Sequence, residues 1–267
     1  MFEGIRFYDT PQGSAIFCLD EHLNRLFYSA ETLKMNIPYS KSEITAAVIE
    51  TIKANHLTKG YIRPLIYYRY ERLGVNPKDI AVDFIIAAWQ WDHYLPLSYA
   101  DVKISRFRRI PPSASPVDAK LCGNYVNGIL AATELKGTAY HEALLLDERG
   151  YIAEGVSENF FMYKNGILYT PKLGYILPGI TRKLIMRLAQ EEGITVEETD
   201  LLPENVYKAE EAFFTGTAVE IVYIRSINDH VFNKGKIGVI TAQLKEKYLN
   251  LVHGQRLLSE KHLTVAR

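Results

Sequence analysis

Residues 81–89 read Ala-Val-Asp-Phe-Ile-Ile-Ala-Ala-Trp, an almost wholly apolar run of strand-forming side chains. A run this short falls well under the roughly 20 residues that span a bilayer. It cannot stand alone either, because its backbone N–H and C=O groups need sheet neighbours and its side chains need cover. Strand patterns also occur at 61–69, 2–8 and 14–19, the last two flanking the turn Thr10–Pro11–Gln12–Gly13. Two segments of helical period accompany them. Leu23, Leu26, Phe27, Ala30 and Leu33 define an amphipathic helix over roughly 20–35. Ser40, followed three residues later by Glu43, has the capping-box spacing ahead of Ile44, Ala47, Val48 and Ile52. Strands and helices mixed in this order predict a small α/β domain over residues 1–92.

The stretch 93–101 reads as an interdomain linker, and the Pro/Ser-rich segment 110–116 as a loop. A larger domain is expected over 102–254. It mixes short strands (142–146, 151–153, 158–163, 167–170) with helices at about 124–135, 180–192 and 237–251. Asn165–Gly166 between Tyr163 and Ile167 is a hairpin signal, and Leu184, Ile185, Leu188 and Ala189 form one helix face. Residues 255–267 carry little pattern and read as a C-terminal tail.

Lys+Arg and Asp+Glu balance at 31 each in the 267 residues, so nucleic acid and anionic membrane are poor partners for this surface. Two cysteines, Cys18 and Cys122, are too few for a disulfide framework and suit a reducing compartment. The segment from Met1 to Arg6 lacks the basic and apolar regions of a signal peptide. A soluble, cytoplasmic protein is expected. The seven histidines show no close metal-ligand spacing, and neither cysteine has a second one nearby, so no metal is expected. Ser157–Glu158–Asn159 lacks the frame of a nucleophile elbow, which argues against a serine hydrolase.

Four phrases carry the chemistry. Lys120 stands between apolar and small residues in Asp118–Ala119–Lys120–Leu121–Cys122–Gly123–Asn124–Tyr125, at the lead-in to a helix. Burial and nearby positive charge would favour its neutral, nucleophilic amine. Glu154 follows Tyr151–Ile152 and precedes Gly155. A carboxylate there could face a pyridine nitrogen and keep the ring protonated. Leu177–Pro178–Gly179–Ile180–Thr181–Arg182 runs straight into a helix, whose bare N-terminus can bind a phosphate. Thr215–Gly216–Thr217–Ala218, after the strand Ala212–Phe213–Phe214, offers a second anion nest. Each has a plainer local reading: a surface lysine, an exposed turn acid, a Pro-Gly turn with Thr181 as cap, a strand end. Together they are the parts that hold a phosphorylated aldehyde, pyridoxal phosphate.

These residues, with Phe2–Glu3–Gly4–Ile5–Arg6, Glu21–His22–Leu23–Asn24–Arg25–Leu26, Tyr61–Ile62–Arg63–Pro64–Leu65–Ile66 and Gly74–Val75–Asn76–Pro77, resemble the class IV (fold type IV) pyridoxal-phosphate enzymes. They are most similar to the bacterial branched-chain-amino-acid aminotransferases, over about residues 2–253. The resemblance implies a two-domain, mixed α/β fold of the D-amino-acid aminotransferase type, whose small domain here lacks its usual first strands. It implies that Lys120 bonds the cofactor aldehyde and shuttles a proton between substrate and cofactor carbons. Glu154 would meet the pyridine nitrogen, Tyr125 the ring hydroxyl, and Leu177 the ring face. Arg25, Ile180, Thr181, Gly216 and Thr217 would hold the phosphate. Tyr61 with Thr217 and Ala218 would take the substrate carboxylate. Arg63 and Tyr94 would admit the side-chain carboxylate of glutamate to a pocket that Trp91 lines. An apolar pocket gains about 0.8 kcal/mol per CH₂ buried, and an arginine at its edge can still pair with a carboxylate.

The implied reaction is transamination between Leu, Ile or Val and 2-oxoglutarate, by a homo-oligomer. The same fold hosts D-amino-acid aminotransferases and aminodeoxychorismate lyases, and a non-catalytic homologue is a third alternative. The chain departs from the family pattern in three places. Met1 directly precedes the Phe2–Glu3–Gly4 phrase, where relatives carry about 30 or more further residues. Tyr68–Arg69–Tyr70–Glu71 brings charge where glycines are usual. Asp92–His93 replaces small residues beside Tyr94.

Overall fold

In the computed structural model, which describes residues 1–71, 73–92, 98–255 and 261–266, Ser40 and Glu43 cap a helix as their spacing predicts. The Ser40 hydroxyl accepts the Glu43 N–H at 3.3 Å, while the Glu43 carboxylate accepts the Ser40 N–H at 2.7 Å. That helix, α2 (Lys41–Ala54), and α1 (Leu19–Thr32) cover one face of an antiparallel sheet. The strands are β1 (Ile5–Thr10), β2 (Gly13–Phe17), β3 (Gly60–Tyr68), β4 (Val82–Trp89) and the chain's last strand, β14 (Leu263–Val265). Their order is β14-β2-β1-β3-β4. Leu19, Leu23, Leu26 and Ala30 recur at helical spacing along α1 and pack with Ile44, Val48 and Ile52 against Ile5, Phe7, Ile16, Ile62 and Ile66. Each fully buried aliphatic side chain here contributes about 1.5–3 kcal/mol. Ala119 and Leu121, on either side of Lys120, belong to the same core.

Contacts group the chain into two compact units. The first is Met1–Asp92 with Ala119–Cys122 and the residues from Asn250 onward; the second is His93–Asp118 with Gly123–Leu249. Residues 119–122 therefore belong with the first unit, although the sequence reading put them in the larger domain. The expected tail is also partly ordered, because Leu263–Val265 pairs antiparallel with β2.

The second unit is built on a nine-stranded sheet. Its elements are β5 (Tyr99–Arg108), α3 (Tyr125–Glu134), β6 (Glu142–Leu146), β7 (Ile152–Gly155), β8 (Asn159–Lys164), β9 (Ile167–Pro171), α4 (Ile180–Glu191), β10 (Thr195–Thr199), α5 (Pro203–Val206), β11 (Glu211–Gly216), β12 (Glu220–Ile227), β13 (His230–Val231) and α6 (Val239–Val252), whose last three residues fall in the first unit. The path β8-β11-β12-β5-β6-β7 closes on itself because β7 also pairs with β8. Closure leaves no free edge within that ring. Phe160, Phe214, Val102, Leu144 and Ile224 pack together, and the rings of Phe161 and Phe213 stack at 5.1 Å. Asn165 and Gly166 adopt φ of 49° and 81°, the left-handed pair that a two-residue hairpin needs. Residues 99–101, expected in a linker, open β5. Among the described residues, no helix is long and apolar enough to cross a membrane.

Candidate functional site

Within the first unit, strand alternation sets one face of β3 apart. Ile62 and Ile66 point into the core, so Tyr61 and Arg63 lie on the opposite face. Tyr61 is paired across the strands with Arg6 on one side and Trp89 on the other. Its ring meets Trp91 edge-on at 4.7 Å and Trp89 at 5.4 Å. Arg6 donates to the carbonyls of Trp91 and Asp92 at 3.2 and 3.3 Å, fixing the chain just after β4. Gly4 is required here, because a Cβ at that position would stand 1.9 Å from the Tyr61 hydroxyl. The Arg63 guanidinium lies 4.5 Å from the Phe2 ring centre, and its Nε is buried without a hydrogen-bond partner. A buried unpaired donor costs about 1–3 kcal/mol, and an anionic ligand would relieve it.

Lys120 is tied at both backbone groups. Its N–H donates to Ser29 Oγ at 2.9 Å, and its carbonyl accepts from Phe2 N–H at 3.3 Å. Its Nζ stands 4.8 Å from the Phe2 ring centre. Although the residue as a whole is half-buried, its amine is desolvated. Burial first and the positive charge of Arg25 second bring it down to about 8, with Arg63 adding to the fall and Glu3 and Tyr61 opposing it. Against an ordinary lysine, that raises the neutral share at pH 7 roughly 300-fold.

Arg25 is held from below. Glu3 is fully buried and accepts Arg25 Nε at 2.7 Å, Arg25 Nη2 at 2.9 Å, His22 Nδ1 at 2.7 Å and the Gly4 N–H at 3.3 Å. Burial alone would raise this carboxyl, but the Arg25 charge and the hydrogen bonds of Arg25 and His22 prevail and hold it well below the usual range. His22 is pushed down by burial, in part offset by Glu3, so it is neutral at pH 7 and donates Nδ1–H to the carboxylate.

In the second unit, Glu154 on β7 faces Asn159 across the β7–β8 pair. Its carboxylate accepts Arg109 Nε at 2.5 Å, Asn159 Nδ2 at 3.1 Å and the Leu177 N–H at 3.2 Å. Tyr125, Leu177, Asn124 and Ser157 line a concavity with these groups. Gly179 is the N-cap of α4, with no side-chain cap and no acid in the first turn. A Cβ on it would lie 2.0 Å from Asn159 Oδ1, so only glycine lets α4 begin against that amide. Ile180 and Thr181 are the first residues of α4, and Thr181 is buried. Arg182, in the same phrase, is structural: it reaches Thr170, the Pro171 carbonyl and Glu198. Thr215 closes the β11–β12 turn by donating to the Glu220 carbonyl at 2.8 Å. Gly216, Thr217 and Ala218 are half-buried at that turn.

The structure places Arg25, Tyr61, Arg63, Trp91 and Lys120 in the first unit, and Tyr125, Glu154, Leu177, Ile180, Thr181, Gly216, Thr217 and Ala218 in the second, where Tyr125, Glu154 and Leu177 share one concavity. Tyr94, with His93, lies outside the described residues. Sequence reasoning assigned no role to Glu3, His22, Arg109 or Asn159. The one available signal was charge bookkeeping: a buried Glu154 demands a cationic partner, but nothing local points to an arginine 45 residues away.

The family model described as "Amino-transferase class IV" matches residues 1–227. A branched-chain-amino-acid aminotransferase of Pseudomonas aeruginosa is 42% identical over 259 residues, covering 96% of this chain and 84% of the relative. The enzyme of that name from Escherichia coli K12 is 39% identical over 261 residues, with the same coverage. Among solved structures, the T.th. branched-chain amino acid aminotransferase complexed with N-(5'-phosphopyridoxyl)-L-glutamate is 38% identical. It superposes with a TM-score of 0.95, covering 100% of this chain and 88% of its own.

Proposed function

Because the chain belongs to the class IV aminotransferases, we propose that it transfers amino groups between branched-chain L-amino acids and 2-oxoglutarate, with pyridoxal phosphate as cofactor. The observation that carries this reading is the placement of Lys120, tied through its backbone to Ser29 and Phe2 in the same unit as Arg25, Tyr61 and Arg63, with its amine lowered by burial and Arg25. The residues present fit the cofactor. An ionised carboxylate has about four acceptor sites, and Glu154 spends three on Arg109, Asn159 and Leu177, leaving one for a protonated ring nitrogen. Arg25 and the uncapped start of α4 at Ile180 and Thr181, with Gly216 and Thr217, are the groups for the phosphate. Tyr125 and Leu177 are assigned to the ring hydroxyl and ring face.

When bound, pyridoxal phosphate supplies an aldehyde and a ring that withdraws an electron pair. Lys120 Nζ would hold the aldehyde as its amine partner and would carry the proton to and from the substrate α-carbon. Arg109, donating Nε to the carboxylate, holds Glu154 aimed. Tyr61, with the Thr217 and Ala218 backbone, takes the substrate α-carboxylate. Arg63, with its unpaired Nε, takes the distal carboxylate of glutamate, while Trp91 and the apolar ring faces accept an aliphatic side chain. Tyr94 is assigned to the same pocket by resemblance alone. Val126, Ile129 and Leu130 form an exposed apolar face on α3, which supports assembly into a homo-oligomer, and the two single cysteines suit a cytoplasmic one.

The test is formation of L-glutamate from L-leucine and 2-oxoglutarate by the cofactor-loaded protein. Turnover that vanishes in Lys120→Ala supports the reading. A parent protein that loads cofactor but turns over D-alanine instead, or releases pyruvate from aminodeoxychorismate, overturns the substrate assignment.

A further inference from the structure

We propose that Cys18, Glu21 and His262 form a binding site for a divalent transition-metal ion of the zinc type at the start of α1. Sequence spacing conceals it, since His262 is 244 residues from Cys18. The fold brings them together. Leu263 pairs with Phe17 across β14 and β2, so the next residues outward, His262 and Cys18, stand opposite each other. The Cys18 N–H donates to the His262 carbonyl at 2.7 Å, and Cys18 takes a left-handed conformation, φ 53° and ψ 38°, before α1 begins. Glu21 is in the first turn of that helix.

His262 Nδ1 lies 3.8 Å from Cys18 Sγ and 3.6 Å from Glu21 Oε1, and all three ligand atoms fall within 4.8 Å of one another. The nitrogen–oxygen separation is beyond a good hydrogen bond, which closes to about 2.7–3.2 Å. It is close to the spacing of ligands around a shared ion. Bonds of about 2.3 Å to sulfur and about 2.0–2.1 Å to nitrogen and oxygen, at tetrahedral angles, set neighbouring ligand atoms about 3.4–3.6 Å apart. Among the described residues this is the one group of three or more potential ligands so placed.

The donor set suits zinc. One thiolate and one carboxylate neutralise the dication, and a neutral imidazole completes three protein ligands. Cys18 is buried while Glu21 is 44% exposed, so the fourth position opens toward water on the Glu21 side. Binding releases the thiol proton to solvent and forms the metal–sulfur bond. A bound ion would pin β14 to the first turn of the helix that carries His22 and Arg25.

The experiment takes the cofactor-loaded protein, strips it with a chelator, and restores zinc or cobalt chloride. The parent should retain about one zinc per chain through gel filtration. With cobalt it should show the long-wavelength bands of a tetrahedral thiolate complex, clear of cofactor absorption. Its Tm should rise with zinc. Glu21→Gln, on a half-exposed side chain, and His262→Gln should lose the retained zinc and the Tm rise while keeping a folded circular-dichroism spectrum. Cys122→Ser should keep both. No retained zinc in the parent, or equal retention in Glu21→Gln and His262→Gln, overturns the site.

Discussion

Glu3→Gln removes one charge and no volume from a fully buried cluster. Glu3 is 0% exposed and accepts four donors, two of them from the Arg25 guanidinium. Glutamine keeps one acceptor oxygen and turns an NH₂ group toward donors, so Arg25 loses its counter-charge. Breaking a buried pair by removing one partner costs about 3–5 kcal/mol. At about 2–4 °C per kcal/mol for a chain of this size, Tm should fall by roughly 6–20 °C at pH 7. The pH dependence follows from the lowered Glu3 carboxyl. A depressed carboxyl contributes stability above its unfolded value, about 4.3, and loses it as pH falls toward the folded value. Glutamine does not titrate, so the parent should lose its advantage progressively below about pH 4.3. Trp89 and Trp91 both lie in the first unit, so urea unfolding followed by tryptophan fluorescence reports on it directly. A gap under about 1 kcal/mol at pH 7, or one unchanged down to about pH 3, would mean that the Glu3 charge does not stabilise this cluster. The variant should also lower the Lys120 amine below about 8, because Glu3 opposes the influence of burial and Arg25.

Three further outcomes are expected. Lys120→Ala should abolish turnover yet retain cofactor noncovalently, as seen by equilibrium dialysis; full activity would show that another group provides the amine. Gly179→Ala should cost about 1–3 kcal/mol by thermal unfolding, because its Cβ meets the hydrogen-bonded Asn159 amide at 2.0 Å, and a neutral result would mean that α4 can shift. Arg109→Met should cost about 3–5 kcal/mol by leaving Glu154 buried without its cation. Adding Glu154→Gln should recover part of that loss, whereas strictly additive losses would deny the coupling.

Local grammar made much of the fold legible. The Ser40–Glu43 box, the Asn165–Gly166 hairpin and the Leu184–Leu188 helix face each declare themselves within a few residues, and the structure places an element at each. β5 alternates charged and apolar residues as a half-buried strand should, but the reading passed over that signal beside the linker it placed at 93–101, and its partners β6 and β12 pair with it in parallel from far along the chain. The apolar run in β4 read as a chain of side chains needing cover, yet Ile85 is 46% exposed and Trp89 36%. The site divides the same way. Lys120, Arg25 and Glu154 sit in phrases whose order resembles a known family, whereas Arg109, Asn159 and the Glu3–His22 support depend on contacts that only folding creates. The Cys18–Glu21–His262 cluster is the extreme case, since strand register alone brings its ends together.

If Lys120 and its neighbours serve pyridoxal phosphate for branched-chain L-amino acids, the bound cofactor itself should report it. The decisive experiment is the visible spectrum of the cofactor-loaded protein, titrated separately with L-leucine and D-alanine. The band of the bound aldehyde form should collapse toward the amine form with L-leucine only. Collapse with D-alanine only, or no visible band after loading, would contradict the assignment.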